Sequence, residues 1–263
     1  MVSISTQHDF RGARDLDFCY ICGQRFNDRK KINFDHVPPK SIFKVEDRNF
    51  PLKMPVHHSG CHSDMNLDDE VLGQLFSLMH GKQPSERDDK LKIEIYNVAG
   101  EKTTTAIFTQ RDIEFLLRRW LKAFHAVLYN QPLFDGSRFA IQSPLPSHNV
   151  KSGKQNHIKE QHYEFVKCIK RNRLVNNIDF IETNNKKLRY ECVWDQLSNK
   201  KWICVFAINL YEWISLGDVN NFTPRGCAGI YELPSGRPPV TAALSSNLEF
   251  PFDNKFPTDP FGK

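Results

Sequence analysis

Two short pairs of metal-capable side chains constrain this chain more than any other feature. Cys19-Tyr-Ile-Cys22 is followed by Gly23, and His58-Ser-Gly-Cys61 begins 36 positions after Cys22. A two-residue gap bends the backbone tightly enough to aim two side chains at one point, and glycine after the second relieves the turn. Two such pairs close a tetrahedron, so Cys19, Cys22, His58 and Cys61 are the expected ligands of one structural Zn²⁺. His57 is the rival for the third position, although it leaves three residues before Cys61 rather than two. The chain has seven cysteines, and Cys168, Cys192, Cys204 and Cys227 show no paired spacing. Those four read as buried free thiols.

A length of 263 residues suits one large core or two modest ones. The formal net charge of +5 permits a nucleic-acid partner without demanding one. The segment MVSISTQHDFRGARD lacks the apolar run of a signal peptide, and no stretch reaches the roughly 18 apolar residues of a membrane span. The expectation is a cytoplasmic protein with no membrane partner.

The pattern of apolar residues divides the chain. Lys31 to His36 alternates like a short strand that Val37-Pro38-Pro39 stops, and Leu52 to Val56 suits a second strand kept at an edge by Pro55. Asp68 to Met79 has helical spacing through Val71, Leu72, Leu75, Phe76 and Met79. The polar run Gly81 to Lys90 reads as a linker. Beyond it, Leu91 to Val98 alternates as a strand. Thr109 suits a helix cap before an apolar stripe of Ile113, Leu116, Leu117, Trp120, Leu121, Phe124 and Leu128. A more basic helix is expected over about Gln155 to Lys170. The alternating runs Leu188 to Trp194 and Trp202 to Ile208 predict a hairpin turning near Ser198-Asn199. The last 40 residues, rich in Gly and Pro, are expected to wrap the surface. The fold class is therefore α+β, with an N-terminal zinc-stapled domain over 1–85 and a C-terminal α+β domain over 86–263.

Between the halves of the zinc clip lies Asp35-His36-Val-Pro-Pro, and His62 follows Cys61 directly. Taken together, C-x2-C … D-H-x-P-P … H-x2-C-H resembles the HNH, or ββα-metal, endonucleases over about residues 18–79. The resemblance implies a strand–loop–strand–helix unit and a metal-dependent endonuclease acting on nucleic acid, with DNA as the expected substrate. It implies that His36 is the general base, an imidazole being suited to proton transfer near neutrality. Asp35 and His62 would hold one catalytic divalent cation, Mg²⁺ or Mn²⁺, and Asn66 is a weaker candidate one helical turn on. The family usually carries Asn five residues before the third zinc ligand. That position here is Lys53, with Asn49 nearby but out of register.

The segment Lys151 to Arg173 carries seven Lys/Arg against two Glu. Lys154, Lys159, Lys167, Lys170 and Arg171 can track a phosphate backbone, or form a solvated helix face. The C-terminal domain can also serve a protein partner or self-association. By analogy, an HNH unit fused to another domain looks like bacterial anti-phage or restriction effectors. The alternative to a nuclease is a non-catalytic, zinc-containing nucleic-acid-binding or regulatory protein.

Overall fold

Two strands rich in apolar residues on both faces form the centre of the fold. The computed structural model describes residues 1–28, 31–61, 66–79, 91–98, 101–108, 113–133, 136–142, 164–197, 200–211 and 226–245. Its elements are β1 (Ser3–Ile4), α1 (Gln7–Gly12), β2 (Ile32–His36), β3 (Lys53–His57), α2 (Asn66–Met79), β4 (Leu91–Val98), β5 (Glu101–Phe108), α3 (Ile113–Tyr129), β6 (Arg138–Gln142), β7 (Asp179–Thr183), β8 (Leu188–Gln196), β9 (Trp202–Leu210) and β10 (Gly226–Glu232). The class is α+β. Six strands form one sheet in the order β1-β7-β8-β9-β10-β6, parallel between β1 and β7 and antiparallel elsewhere.

The hairpin expected near residues 188–208 is β8–β9, and it lies inside the sheet. Both of its faces are buried, which explains the nearly unbroken apolar run of Ile203 to Ile208. On one face Tyr190, Cys192, Trp194 and Phe206 join the core that includes Trp120, Leu121, Phe124 and Leu128 of α3. Phe124 and Tyr190 meet with ring centroids 4.7 Å apart. On the other face Val193, Ile203, Val205 and Ile230 pack with Phe165, Val166 and Ile169 from a helical stretch over residues 164–174.

The hairpin β2–β3 and helix α2 follow the knuckle in the expected order, although α2 begins at Asn66 rather than Asp68. The apolar cluster runs across the expected boundary at residue 85: Phe18, Tyr20, Met54, Leu72 and Phe76 share it with α3 and the sheet. The β2–β3 connection also docks on the β7–β8 turn. There Asn184 N donates to Asn49 O at 3.0 Å, and nearby Lys44 N donates to the hydroxyl of Tyr211, just past β9, at 3.0 Å.

One expectation is overturned. Within the last 40 residues, Gly226–Glu232 does not wrap the surface but forms β10, paired on both sides between β9 and β6. Small and apolar residues (Gly226, Ala228, Gly229, Ile230) let a strand pair on both sides where Gly and Pro composition suggested a coil. Residues 246–263, the linker at 81–90 and the first part of the basic helix, 155–163, lie outside the described residues. The four distal cysteines are buried free thiols.

Gly229 is the tightest point of this sheet. A Cβ there would overlap the Ala140 carbonyl oxygen and crowd the Phe206 ring. Gly229→Ala is therefore expected to force β6 away and to cost about 1–3 kcal/mol of stability, read as a lower denaturant midpoint in urea. An unchanged midpoint would show that β6 is not held at this distance.

Candidate functional site

The N-terminal polar cluster begins with two glycine turns. Gly23 N donates to Cys19 O at 2.8 Å, closing the knuckle, and Gly23 adopts φ 75°. Gly60, with φ 81°, does the same for the turn that returns the chain from β3 to Cys61. Only glycine takes this conformation without a Cβ penalty. These turns bring Cys19, Cys22, His57 and Cys61 together, with their ligand atoms all within 4.8 Å of one another. His57 Nδ1 lies 3.4 Å from Cys22 Sγ and 3.9 Å from Cys61 Sγ. A tetrahedral zinc ion with ordinary bond lengths separates S and N ligands by about 3.5 Å, so this set can hold a structural zinc.

The histidine of the cluster is thus His57 and not His58, a correction to the reading from spacing. Strand geometry is the cause. His57 is the last residue of β3 and pairs with Ile32, while His58 already belongs to the turn, is exposed, and gives its backbone N–H to Lys31 O at 3.0 Å. The Phe26 ring meets the His57 ring edge-on at 5.0 Å and helps fix its plane. Burial raises the pKa of the Cys19 thiol, against the pull of backbone amides of Cys22, His57 and Ile21 that face its sulfur. Burial, and then negative charge at Cys19 and Cys22, pushes the Cys61 thiol up to about 12. A divalent cation reverses this repulsion, because it coordinates thiolates directly.

Alternation along β2 then separates the two residues of the Asp-His pair. Asp35 faces the core with Met54 and Val56; it is only 8% exposed and accepts a hydrogen bond from the Tyr20 hydroxyl. Burial, followed by the Asp35 charge, holds the Tyr20 phenol well above its usual pKa. Behind this pair, Arg119 of α3 forms an ion pair with Asp69 in the first turn of α2. Burial alone would weaken its charge, but Tyr20, Asp69 and Asp35 together hold Arg119 above the usual arginine value. Tyr20 and Arg119 went unnoticed in the sequence. Tyr20 is hidden as a spacer inside the Cys pair, and Arg119 as a polar interruption of the α3 stripe.

His36 faces the opposite side, paired in register with Lys53. It is half-buried, and its Nε2 is enclosed without a hydrogen-bond partner. Burial, then the positive charges of Lys40 and Lys53, with a further contribution from Arg14, holds its pKa down to about 4. The imidazole is consequently neutral at physiological pH. Asn49 does not turn to His36: its side-chain amide donates to Asn185 Oδ1 at 3.0 Å. His62 lies outside the described residues, and Asn66 is placed only as the first residue of α2. Of the basic segment, Lys170 and Arg171 are exposed and Lys167 pairs with Glu164 at 3.9 Å, while Lys154 and Lys159 lie outside the described residues. Among the described residues, no helix is long and apolar enough to cross a membrane.

Comparisons with family models, with curated proteins and with solved structures give no match to this chain.

The cluster makes a discriminating prediction. Protein purified without chelator is expected to carry about one zinc per chain by elemental analysis. His57→Ala and Cys22→Ala should lose that metal, whereas His58→Ala should retain it. Because the ligands must shed protons, retained metal should be released as pH falls, and a chelator should compete better at pH 5 than at pH 8. Retention by His57→Ala and loss by His58→Ala would restore the assignment from spacing.

Proposed function

We propose that the protein is a zinc-stapled, metal-dependent endonuclease of the HNH type, hydrolysing nucleic-acid phosphodiester bonds with His36 as general base. The observation that carries this reading is the environment of His36: a neutral imidazole beside three cationic side chains, Arg14, Lys40 and Lys53, on the hairpin whose far end supplies His57 to the metal cluster. A neutral imidazole can accept a proton, and surrounding cations favour an anionic phosphodiester at the same place.

In the proposed reaction His36 takes a proton from water as the water oxygen bonds to phosphorus. With Nε2 enclosed, Nδ1 is the nitrogen assigned to that water. The P–O bond to the leaving nucleoside breaks, and its oxygen is protonated from solvent. By the resemblance the products carry a 5′-phosphate and a 3′-hydroxyl. Lys53, in register with His36, neutralises part of the charge that grows on the phosphoryl oxygens. Asp35 and His62 are the residues that would hold Mg²⁺ or Mn²⁺, which when bound supplies further charge neutralisation at the phosphate. The zinc at Cys19, Cys22, His57 and Cys61 is structural in this reading, since four protein ligands leave no open position.

One observation favours the rival reading, a non-catalytic zinc module that only binds nucleic acid. The Asp35 carboxylate is buried and already engaged by Tyr20, so it is less free to bind a cation. The two readings separate in a cleavage assay on single- and double-stranded DNA and RNA across several divalent cations. His36→Ala should keep its zinc and its unfolding midpoint, and should lose cleavage by roughly 10² or more. Cutting by His36→Ala at the wild-type rate would sink the mechanism. Binding without cutting by the wild-type protein under every cation would establish the rival.

A further inference from the structure

The hairpin face that carries His36 also carries an exposed aromatic ring. Phe34 pairs with Pro55 and lies two residues before His36, so alternation puts Phe34, His36 and Lys53 on one side of the strand pair. Asp35, Met54 and Val56 occupy the other side and are buried. Phe34 is 43% exposed, whereas Met54 and Val56 are wholly enclosed. A single exposed phenylalanine is ordinary on a protein surface. Its neighbours make this one different.

Arg14 stands in the 3₁₀ turn Ala13–Asp15 that packs against β3, and Lys40 opens the turn Lys40–Ile42 just past the end of β2. Arg14 and Lys40 are exposed, and both bear electrostatically on His36 and on Lys53. Some cations elsewhere are ion-paired, Arg173 and Arg189 with Glu191, Arg119 with Asp69 and Arg138 with Glu232, while others such as Lys170 and Arg171 stand singly on the surface. Among the described residues, Arg14, Lys40 and Lys53 have no ion-pair partner. Three like charges around one imidazole, opposed there only by the inward-facing Asp35, favour an anion from outside, and the exposed ring on the same hairpin face favours an apolar, flat surface. A nucleotide offers both.

We propose that this face binds an unpaired nucleic-acid strand, with one base stacked on Phe34 and the flanking phosphates held by Arg14, Lys40 and Lys53. The inference rests on the nucleic-acid reading of the His36 site and not on catalysis. Phe34 decides between strand types. Aromatic platforms with flanking cations grip single strands because every unstacked base exposes a π-face. A duplex hides those faces in its stack and offers mainly phosphates, to which Phe34 contributes nothing. Phe34 and His36 are about 6.8 Å apart along the strand, so a base on Phe34 places an adjacent phosphate beside His36.

The test uses the full-length zinc-loaded chain without added divalent cation, so that binding is read apart from cutting. Fluorescence anisotropy compares a labelled oligothymidylate with a duplex of equal length. The single strand is expected to bind at least about tenfold more tightly. Phe34→Ala should weaken that binding by roughly 5- to 100-fold with little effect on the duplex, and Phe34→Trp should restore it. Arg14→Glu with Lys53→Glu should weaken both probes and flatten the salt dependence. Unaltered zinc content and unfolding midpoint in each variant establish that the fold is intact. The proposal is overturned if Phe34→Ala binds the single strand like wild type, or if duplex and single strand bind equally. It is also overturned if Phe34→Ala changes only self-association, which would make the ring a protein contact. Expected binding with no cleavage under any cation would leave this proposal standing and remove the nuclease reading. Cleavage with affinity indifferent to Phe34 would do the reverse.

Discussion

The ion pair between the buried Arg119 and the partly exposed Asp69 is the interaction on which the rest of the arrangement depends. It joins α3, the helix that covers the central sheet, to the first turn of α2 beside the Asp35–Tyr20 hydrogen bond. The Arg119 side chain is 2% exposed, and its Nε and Nη1 have no partner among the described residues. A guanidinium taken out of water is tolerated only where negative groups surround it, and losing one partner of such a pair costs far more than the pair contributes. The Tyr20–Asp35–Arg119–Asp69 group therefore fixes the relation between knuckle, hairpin, α2 and α3 as one unit. One turn further along α3, Lys122 Nζ donates to Ile21 O at 2.8 Å, inside the knuckle itself. The metal cluster is thus held from outside by the helix that also builds the main core.

That anchoring gives strand alternation its consequence. With Asp35 drawn inward to Tyr20, the period of two along β2 must carry Phe34 and His36 outward, and the register with β3 carries Lys53 with them. The same register brings His57 to Ile32, so the metal cluster and the His36 face are read from one pair of strands. A slip by one residue would put His36 in the core and Asp35 in solvent, exchanging a neutral imidazole among cations for a carboxylate. The paired thiols, the inward tyrosine and the buried arginine all oppose that slip.

Much of this was legible in the sequence, and the failures have physical causes. The matched spacings located three of the four cluster residues, and the apolar periodicities located α3, β4 and the β8–β9 hairpin. The fourth residue was missed because a gap of two between ligands is a rule about turns. His57 ends a strand, and there the phase of the pleat decides, which spacing cannot express. The β10 strand was missed because glycine and proline content measures average flexibility, while the pairing of β10 depends on small residues at particular positions between two partners. Arg119 was missed because an apolar stripe marks only one face of a helix. α3 is enclosed on more than one side, with Leu121, Ala123, Phe124 and Ala126 all inaccessible, so a charged residue off the stripe is buried as well. The loop residue Asn49 illustrates the converse. It lies near the position where the family carries Asn, though out of register, and its amide serves the β7–β8 turn.

The division of the hairpin into two faces also separates packing from surface charge. The inner face carries Asp35, Met54 and Val56, whose replacement disturbs packing or leaves a buried charge unpaired. The outer face carries the exposed Phe34 and the partly buried His36 and Lys53. Burial first, and then the mutual repulsion of the three cations gathered there, lowers the pKa of His36 and of Lys53, with Asp35 acting in the opposite sense on His36. For Lys53, burial comes first among the causes, followed by Arg14 and Lys40. The sign of the resulting linkage is definite. An unfolded chain binds a proton at His36 near pH 6.5 and the folded chain near pH 4, so this group subtracts stability as pH falls through that window. An anion bound at the face acts oppositely: it relieves the repulsion and raises the His36 pKa. In the proposed reaction, a phosphodiester seated there would therefore raise the His36 pKa as it binds, coupling occupancy of the face to the readiness of the imidazole to accept a proton.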